Sequence, residues 1–313
     1  MNHNKQTILI LGGFGFLGTN ILKYIDENLY DQYSVIVLDR FNNHPEGINF
    51  HCVEKVYAGD FTDTLFLKKV FNNNIDIVIH SLSTTIPVSS RNARYDIETN
   101  LFPTLSILDI MVGSGIKNIV YMSSGGAIYG MCGENNHNEE ENVYPVSSYG
   151  IVKLTIEKYL FQYAQLYEIE PLIIRLSNPY GPYHYSMRQG VVNVAMTKAL
   201  KGERMTVWGK GEGMKDYIFV EDFVRILFAL MQKSVKNEVI NIASGQLLSV
   251  NKIISSIQAL VPTFEVDYGD ADNYDASYFS LDTTKLHKII GEYTFCSFDE
   301  GLCKTLEWTK TIL

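Results

Sequence analysis

Tyr149 and Lys153 stand four residues apart in the segment PVSSYGIVKL, a spacing that puts both side chains on one helix face. An ammonium beside a phenol favours the phenolate, and a second cation would add to this. Bringing a phenol from about 10 to about 7 takes roughly 4 kcal/mol of differential stabilisation, within reach of two cations in a dry cleft. The chemistry would then be general-base removal of a hydroxyl proton. With 20 tyrosines in the chain, about one such pair is expected by chance, so its place in the chain has to carry the argument. It follows YMSSGGAIYG, where an apolar strand ends in Ser123 and Ser124.

A second group of residues sits near the start, in TILILGGFGFLGTN. Gly13, Gly15 and Gly18 read as G-x-G-x-x-G, and Gly12, Gly15 and Gly18 as G-x-x-G-x-x-G. Both describe a strand turning sharply into a helix whose first amides receive a pyrophosphate, with Gly12, Gly15, Phe16, Leu17 and Gly18 around the cofactor. The next apolar run, SVIVLD, ends in Asp39, where an acid accepts hydrogen bonds from the adenosine ribose hydroxyls and repels a 2′-phosphate. That favours NAD over NADP, although Arg40 follows at once.

The elements that must position these groups alternate through the first 175 or so residues. Apolar runs TILIL, SVIVLD, EKVYAGD, IDIVIH, KNIVYMSS and PLIIRL are separated by helical patterns near 15–27, 63–73, 96–113 and 147–168. Continuous β-branched runs joined by helices indicate a parallel sheet covered on both faces. The fold class expected is α/β, a Rossmann-type doubly wound parallel sheet with a small α/β substrate-binding C-terminal lobe. Residues 1–176 form the cofactor-binding domain, rejoined by a strand near 238–243 (EVINIA), and residues 177–313 form mainly the substrate lobe.

Composition narrows the function. The net charge is −9, with 26 basic against 35 acidic residues, and no basic run offers a nucleic-acid surface. No apolar stretch approaches a membrane span or a signal-peptide core. The four cysteines lack metal-ligand or C-x-x-C spacing, so reduced thiols, no metal and a cytoplasmic location are expected. His80, at the end of a buried strand, reads as structural.

With these residues on the page, the chain resembles the extended short-chain dehydrogenase/reductase family, in particular the NAD-dependent nucleotide-sugar epimerases and dehydratases. The resemblance runs nearly end to end through GGFGFLG, AGDFTD, VIH, SSGGAIYG, YGIVK, RLSNPYGP, RQGVV and VWGKGEGMKDYIFVEDF. It implies that Gly12, Gly15 and Gly18 are the operative triplet and Gly13 a passenger of the turn. It implies further that Asp60 and Phe61 flank the adenine, Leu82 lies by the ribose, and Asn100 sits on the helix under the cofactor. Ser123 and Ser124 would line the nicotinamide end, and Lys153 would also bond the ribose. Asn178, Arg188, Gln189 and Trp208 would contact a nucleotide-sugar, Trp208 against the base. Each keeps a plain alternative: Trp208 as core, Asn178 as a turn cap, Ser123 as a strand end.

Three positions depart from the family pattern. Gly125 occupies the place of the usual Ser or Thr beside the tyrosine, leaving that role vacant or passing it to Ser124 or Thr85. Lys215 replaces the usual phosphate-gripping arginine, and Asp272 stands where a second arginine is usual, so Arg188 is expected to compensate. The resemblance implies a 4-epimerase working on a UDP-hexose or its N-acetylamino form in polysaccharide biosynthesis, with a 4-ketoreductase as the alternative. A dehydratase would need an Asp-Glu pair where this chain has Gly126 and Ala127, and a non-catalytic NAD-bound sensor would not need Tyr149 and Lys153. The helices near 96–113 and 147–168 carry apolar residues over more than one stripe, which predicts a homodimer through a four-helix bundle.

Overall fold

The structure is a computed structural model that describes residues 5–40, 49–85, 92–130, 136–270 and 278–313. The first half runs β1 (Gln6–Leu11), α1 (Phe16–Tyr24), β2 (Tyr33–Asp39), β3 (Val53–Ala58), α2 (Thr64–Phe71), β4 (Ile77–His80), α3 (Ala93–Asp96) and α4 (Phe102–Ser114). Then come β5 (Asn118–Ser124), α5 (Gly125–Ile128), β6 (Asn136–His137), α6 (Ser148–Tyr167), β7 (Glu170–Leu176) and β8 (Asn178–Tyr180). The remainder is α7 (Val191–Lys201), β9 (Met205–Trp208), β10 (Met214–Phe219), α8 (Val220–Gln232), β11 (Glu238–Ile242), β12 (Leu247–Ser249) and α9 (Val250–Leu260). It closes with β13 (Val266–Gly269), β14 (Tyr278–Leu281), α10 (Thr284–Ile290) and α11 (Phe298–Thr311).

Seven strands form one sheet in the order β11-β7-β5-β4-β1-β2-β3, every pairing parallel. This is the Rossmann-like arrangement expected. The late strand rejoins the sheet as anticipated, with Ile240 opposite Ile174. Strand alternation divides the core in two. Ile8, Ile10, Val35 and Val37 face one layer with α1 and α8, while Leu9, Leu11, Ile36 and Leu38 face the other with α2, α4 and α6. Because both faces are covered, the strands read as unbroken apolar runs rather than alternating ones.

The order reverses at β1, which has β2 on one side and β4 on the other, opening a crevice at the carboxyl ends of these strands. A separate core of Tyr180, Val192, Met196, Phe219, Ile253 and Phe298 holds the C-terminal elements together. The helix expected near 96–113 begins earlier, at Ala93, and is interrupted by a π-helical turn over Ile97–Leu101. A wide turn inside a helix is a frequent mark of a working site, and this one carries Asn100.

Candidate active site

The glycine turn is built by close approach. Gly12 sits at φ 82°, and its carbonyl accepts the Gly15 N–H at 3.2 Å. A Cβ on Gly18 would lie 2.3 Å from the Gly12 oxygen and 2.6 Å from the Gly13 Cα, so only glycine lets α1 start this near β1. Gly13 is more than a passenger, since a Cβ there would meet Val37 Cγ1 at 2.8 Å. The shape left over, backbone N–H groups at a helix start with no side chain in front, fits a dinucleotide pyrophosphate.

Asp39 ends β2 beside this turn. Its carboxylate accepts the Phe14 N–H at 3.0 Å and the Arg40 N–H at 2.7 Å, which holds the turn and this acid in one unit. Arg40 leans to Asp60 at 3.6 Å, and the Thr62 amide, then Arg40, hold the Asp60 carboxyl below its usual range. Phe61 is only 2 % exposed and belongs to the core under the sheet. Its ring lies in the turn between β3 and α2 and packs into that core rather than standing out at the surface. Leu82 lies over the turn, its Cδ2 3.2 Å from where a Gly12 Cβ would be.

Tyr149 and Lys153 share one face of α6, started by Ser147, whose hydroxyl accepts the Gly150 N–H at 3.1 Å. The Lys153 ammonium donates to the Met122 carbonyl at 2.7 Å and lies 5.7 Å from the centre of the Tyr149 ring. The Ser124 hydroxyl donates to the Tyr149 phenol. Thr85, the other residue named for the role that Gly125 leaves open, is buried in the wall of the same cavity, where the Asn100 amide donates to its hydroxyl at 3.5 Å. Gly125 packs closely under Leu281, whose Cδ1 would lie 2.7 Å from a Cβ there, so a larger residue requires that side chain to shift.

His80, Leu82, Thr85, Asn100, Tyr121 and the Tyr149–Lys153 pair line one small cavity. Asn100 fixes its wall by accepting the Thr84 N–H at 2.9 Å and donating to the Thr84 hydroxyl at 2.8 Å. His80 bonds Thr104 at 2.9 Å, and burial pushes its pKa down to about 3, so it is the neutral structural residue expected.

The expected depression of the phenol is not produced by the protein's groups alone. Burial pushes Tyr149 up to about 12, against the lowering pull of Ser124, and pushes Lys153 down to about 8. One cation at about 5 Å contributes roughly 3 kcal/mol at an effective dielectric of 20. Reaching neutrality from about 12 needs roughly 7 kcal/mol. A phenolate at neutral pH would therefore need a further positive charge beside Lys153.

Two residues not anticipated from the sequence stand behind this pair. Glu157 and Arg175 form a buried salt bridge at 2.8 Å, with side-chain exposures of 2 % and 4 %. The Ser123 hydroxyl donates to Glu157 at 2.6 Å. The Ser123 hydroxyl is therefore committed to Glu157. Arg175 also donates to the Tyr129 hydroxyl at 2.9 Å, which donates to Asn241 at 3.0 Å. Two signals were available: an arginine inside the apolar run PLIIRL, and a glutamate four residues beyond Lys153 on its own helix face.

The substrate-side residues are placed more loosely. Asn178, on β8, donates to the Asp216 carbonyl at 2.8 Å, tying it to β10, which carries Lys215. Arg188 and Gln189 are exposed on the loop before α7. Trp208 is 69 % exposed and lies against Gly269, so it is no core residue. Asp272 lies outside the described residues. Among those described, no group of three or more His, Cys, Asp or Glu could hold a metal, and no helix is long and apolar enough to cross a membrane.

The sequence matches the profile of the NAD dependent epimerase/dehydratase family over residues 8–243. It is 30 % identical over 306 residues to a putative UDP-glucose 4-epimerase of Methanocaldococcus jannaschii, covering 97 % of this chain and 98 % of that one. It is 25 % identical over 312 residues to the dTDP-4-dehydro-6-deoxyglucose reductase of Escherichia coli, covering 98 % of each. The crystal structure of UDP-glucose 4-epimerase from Thermotoga maritima with UDP-glucose matches with a TM-score of 0.89 at 30 % identity, over 98 % of this chain and 99 % of that one.

Proposed function

Because the chain belongs to the NAD-dependent epimerase/dehydratase family, with NAD as its cofactor, we propose that it is a nucleotide-sugar 4-epimerase acting on a UDP-hexose or its N-acetylamino form. The observation that carries the reading is the Tyr149–Lys153 pair on one face of α6, the ammonium 5.7 Å from the centre of the ring, at a cavity walled by Asn100 and Thr85. Tyr149 takes the proton of the sugar 4-hydroxyl, Ser124 orients that hydroxyl against the phenol, and Lys153 supplies the positive charge that a phenolate needs. Gly12, Gly15, Phe16, Leu17, Gly18 and Asp39 hold the cofactor. Bound NAD supplies the hydride acceptor and donor at C4. The 4-keto sugar turns over within the site, and Tyr149 returns the proton on completion.

Dehydration would need an acid at Gly126 or Ala127, where this chain has none. A 4-ketoreductase would use the same Tyr149, Lys153 and Ser124 once per turnover, and the similarity to the Escherichia coli reductase keeps it as the second reading. Lys215 and Arg188 are the cations assigned to the diphosphate, with Asn178, Gln189, Thr85 and Trp208 toward sugar and base. With NAD present, UDP-glucose or UDP-N-acetylglucosamine is expected to convert to its 4-epimer by proton NMR with no net NADH formed. Stoichiometric NADH consumption on a 4-keto sugar, without interconversion of the epimers, would make the reductase reading correct instead.

The same reading includes a cytoplasmic homodimer. Phe102 on α4 is 55 % exposed and Ile151 on α6 is 51 % exposed, and these two helices pack side by side on one layer. Pairing with their copies in a four-helix arrangement would cover both. Sedimentation at micromolar concentration is expected to give a dimer, and Phe102→Glu with Ile151→Glu a folded monomer. A monomeric unaltered chain would rule this assembly out.

A further inference from the structure

Tyr149, Lys153 and Glu157 follow one another at four-residue intervals along α6, so the proton acceptor, the cation and a buried carboxylate lie in one row. Glu157 is fully paired: Ser123 donates at 2.6 Å, and Arg175 donates through Nε at 3.2 Å and Nη2 at 2.8 Å. Ser123 is the residue before Ser124 on β5, and the carbonyl of Met122, the residue before that, holds the Lys153 ammonium. Glu157 thus touches the strand end that presents both partners of the pair. We propose that Glu157 is a positioning residue: through Ser123 it fixes the end of β5 that presents Ser124 to Tyr149, and it supplies the countercharge that keeps Lys153 an ammonium, with Arg175 setting how much of that charge Lys153 feels. The inference rests on the catalytic roles given above to Tyr149 and Lys153.

The titratable groups around Lys153 are Tyr149 and Glu157 on its own helix, His80 on β4 and Tyr121 on β5, over whose ring the ammonium lies at 4.8 Å. His80 is neutral and burial raises the Tyr121 phenol. Glu157 is therefore the anion that opposes the effect of burial on Lys153. A purely structural salt bridge would loosen the same surroundings whichever partner is removed. A countercharge role instead predicts opposite signs. Glu157→Gln leaves Arg175 unneutralised and lowers the Lys153 pKa, while Arg175→Gln frees the carboxylate and raises it, each by about 1.

The test is NMR titration of protein labelled with 13C at lysine Cε, without substrate, with the Lys153 signal assigned by its loss in Lys153→Arg. Opposite shifts in the two variants support the proposal; shifts of the same sign, or none, overturn it. Should either single variant fail to fold, the double variant Glu157→Gln/Arg175→Gln leaves neither member of the salt bridge as a lone buried charge. In it a Lys153 titration below that of the unaltered protein supports the proposal, and an unchanged one overturns it. The readout needs no turnover, so a failed epimerase assay with opposite shifts would sink the proposed reaction and leave this inference standing.

Discussion

Tyr149→Phe is expected to keep the fold and NAD affinity and to lose roughly 10²–10⁴-fold in turnover, the range for removing a general acid–base group. The ring still packs on α6, and only the proton-carrying oxygen, with its bond from Ser124, is gone. The pH dependence follows from the same surroundings. Burial holds Tyr149 up to about 12 and Lys153 down to about 8 in the protein alone. Activity should therefore rise with pH as the phenol loses its proton in the cofactor complex, and fall again once Lys153 loses its charge. Steady-state rates of both forms across the pH range check this. A Phe variant with near-normal turnover would remove Tyr149 from the mechanism.

Gly18→Val is expected to weaken NAD binding by about 100-fold or more, which corresponds to roughly 3 kcal/mol. The cause is backbone against backbone. A Cβ at 2.3 Å from the Gly12 oxygen and 2.6 Å from the Gly13 Cα cannot be relieved by rotating a side chain, so α1 must move away from the turn. Overpacking of this kind costs about 1–3 kcal/mol or more in stability as well, and the amides that face the pyrophosphate move with the helix. Gly113→Ala is the control, because a Cβ there meets nothing within 4 Å. Calorimetric titration of NAD into the two variants separates the cases: loss of affinity in both, or in neither, would contradict the assigned role of the turn.

What the chain made legible by itself was what depends on short stretches. The glycine turn between a strand and a helix, the acid at the end of β2, and the four-residue step from Tyr149 to Lys153 are all local. Backbone sterics and helix periodicity act within a few residues, and so they can be read along the sequence. The parallel sheet was readable for a related reason: burial on both faces leaves unbroken apolar runs such as IVIH and PLIIRL, whatever their partners.

Which elements meet was decided only by the tertiary structure. Leu281, more than 150 residues further along, packs over Gly125, a contact that no local spacing announces. Ser123 is spent on Glu157 and Phe61 is held in the core because packing brings α6 and the α2 layer against them. The phenol's high pKa follows from burial, which no spacing encodes. Arg175 could be seen as an oddity in an apolar strand and Glu157 as an acid on the face of Lys153, but not that the two pair. Glu157 lies on another element, and a buried charge is stabilised by whatever group the fold places against it.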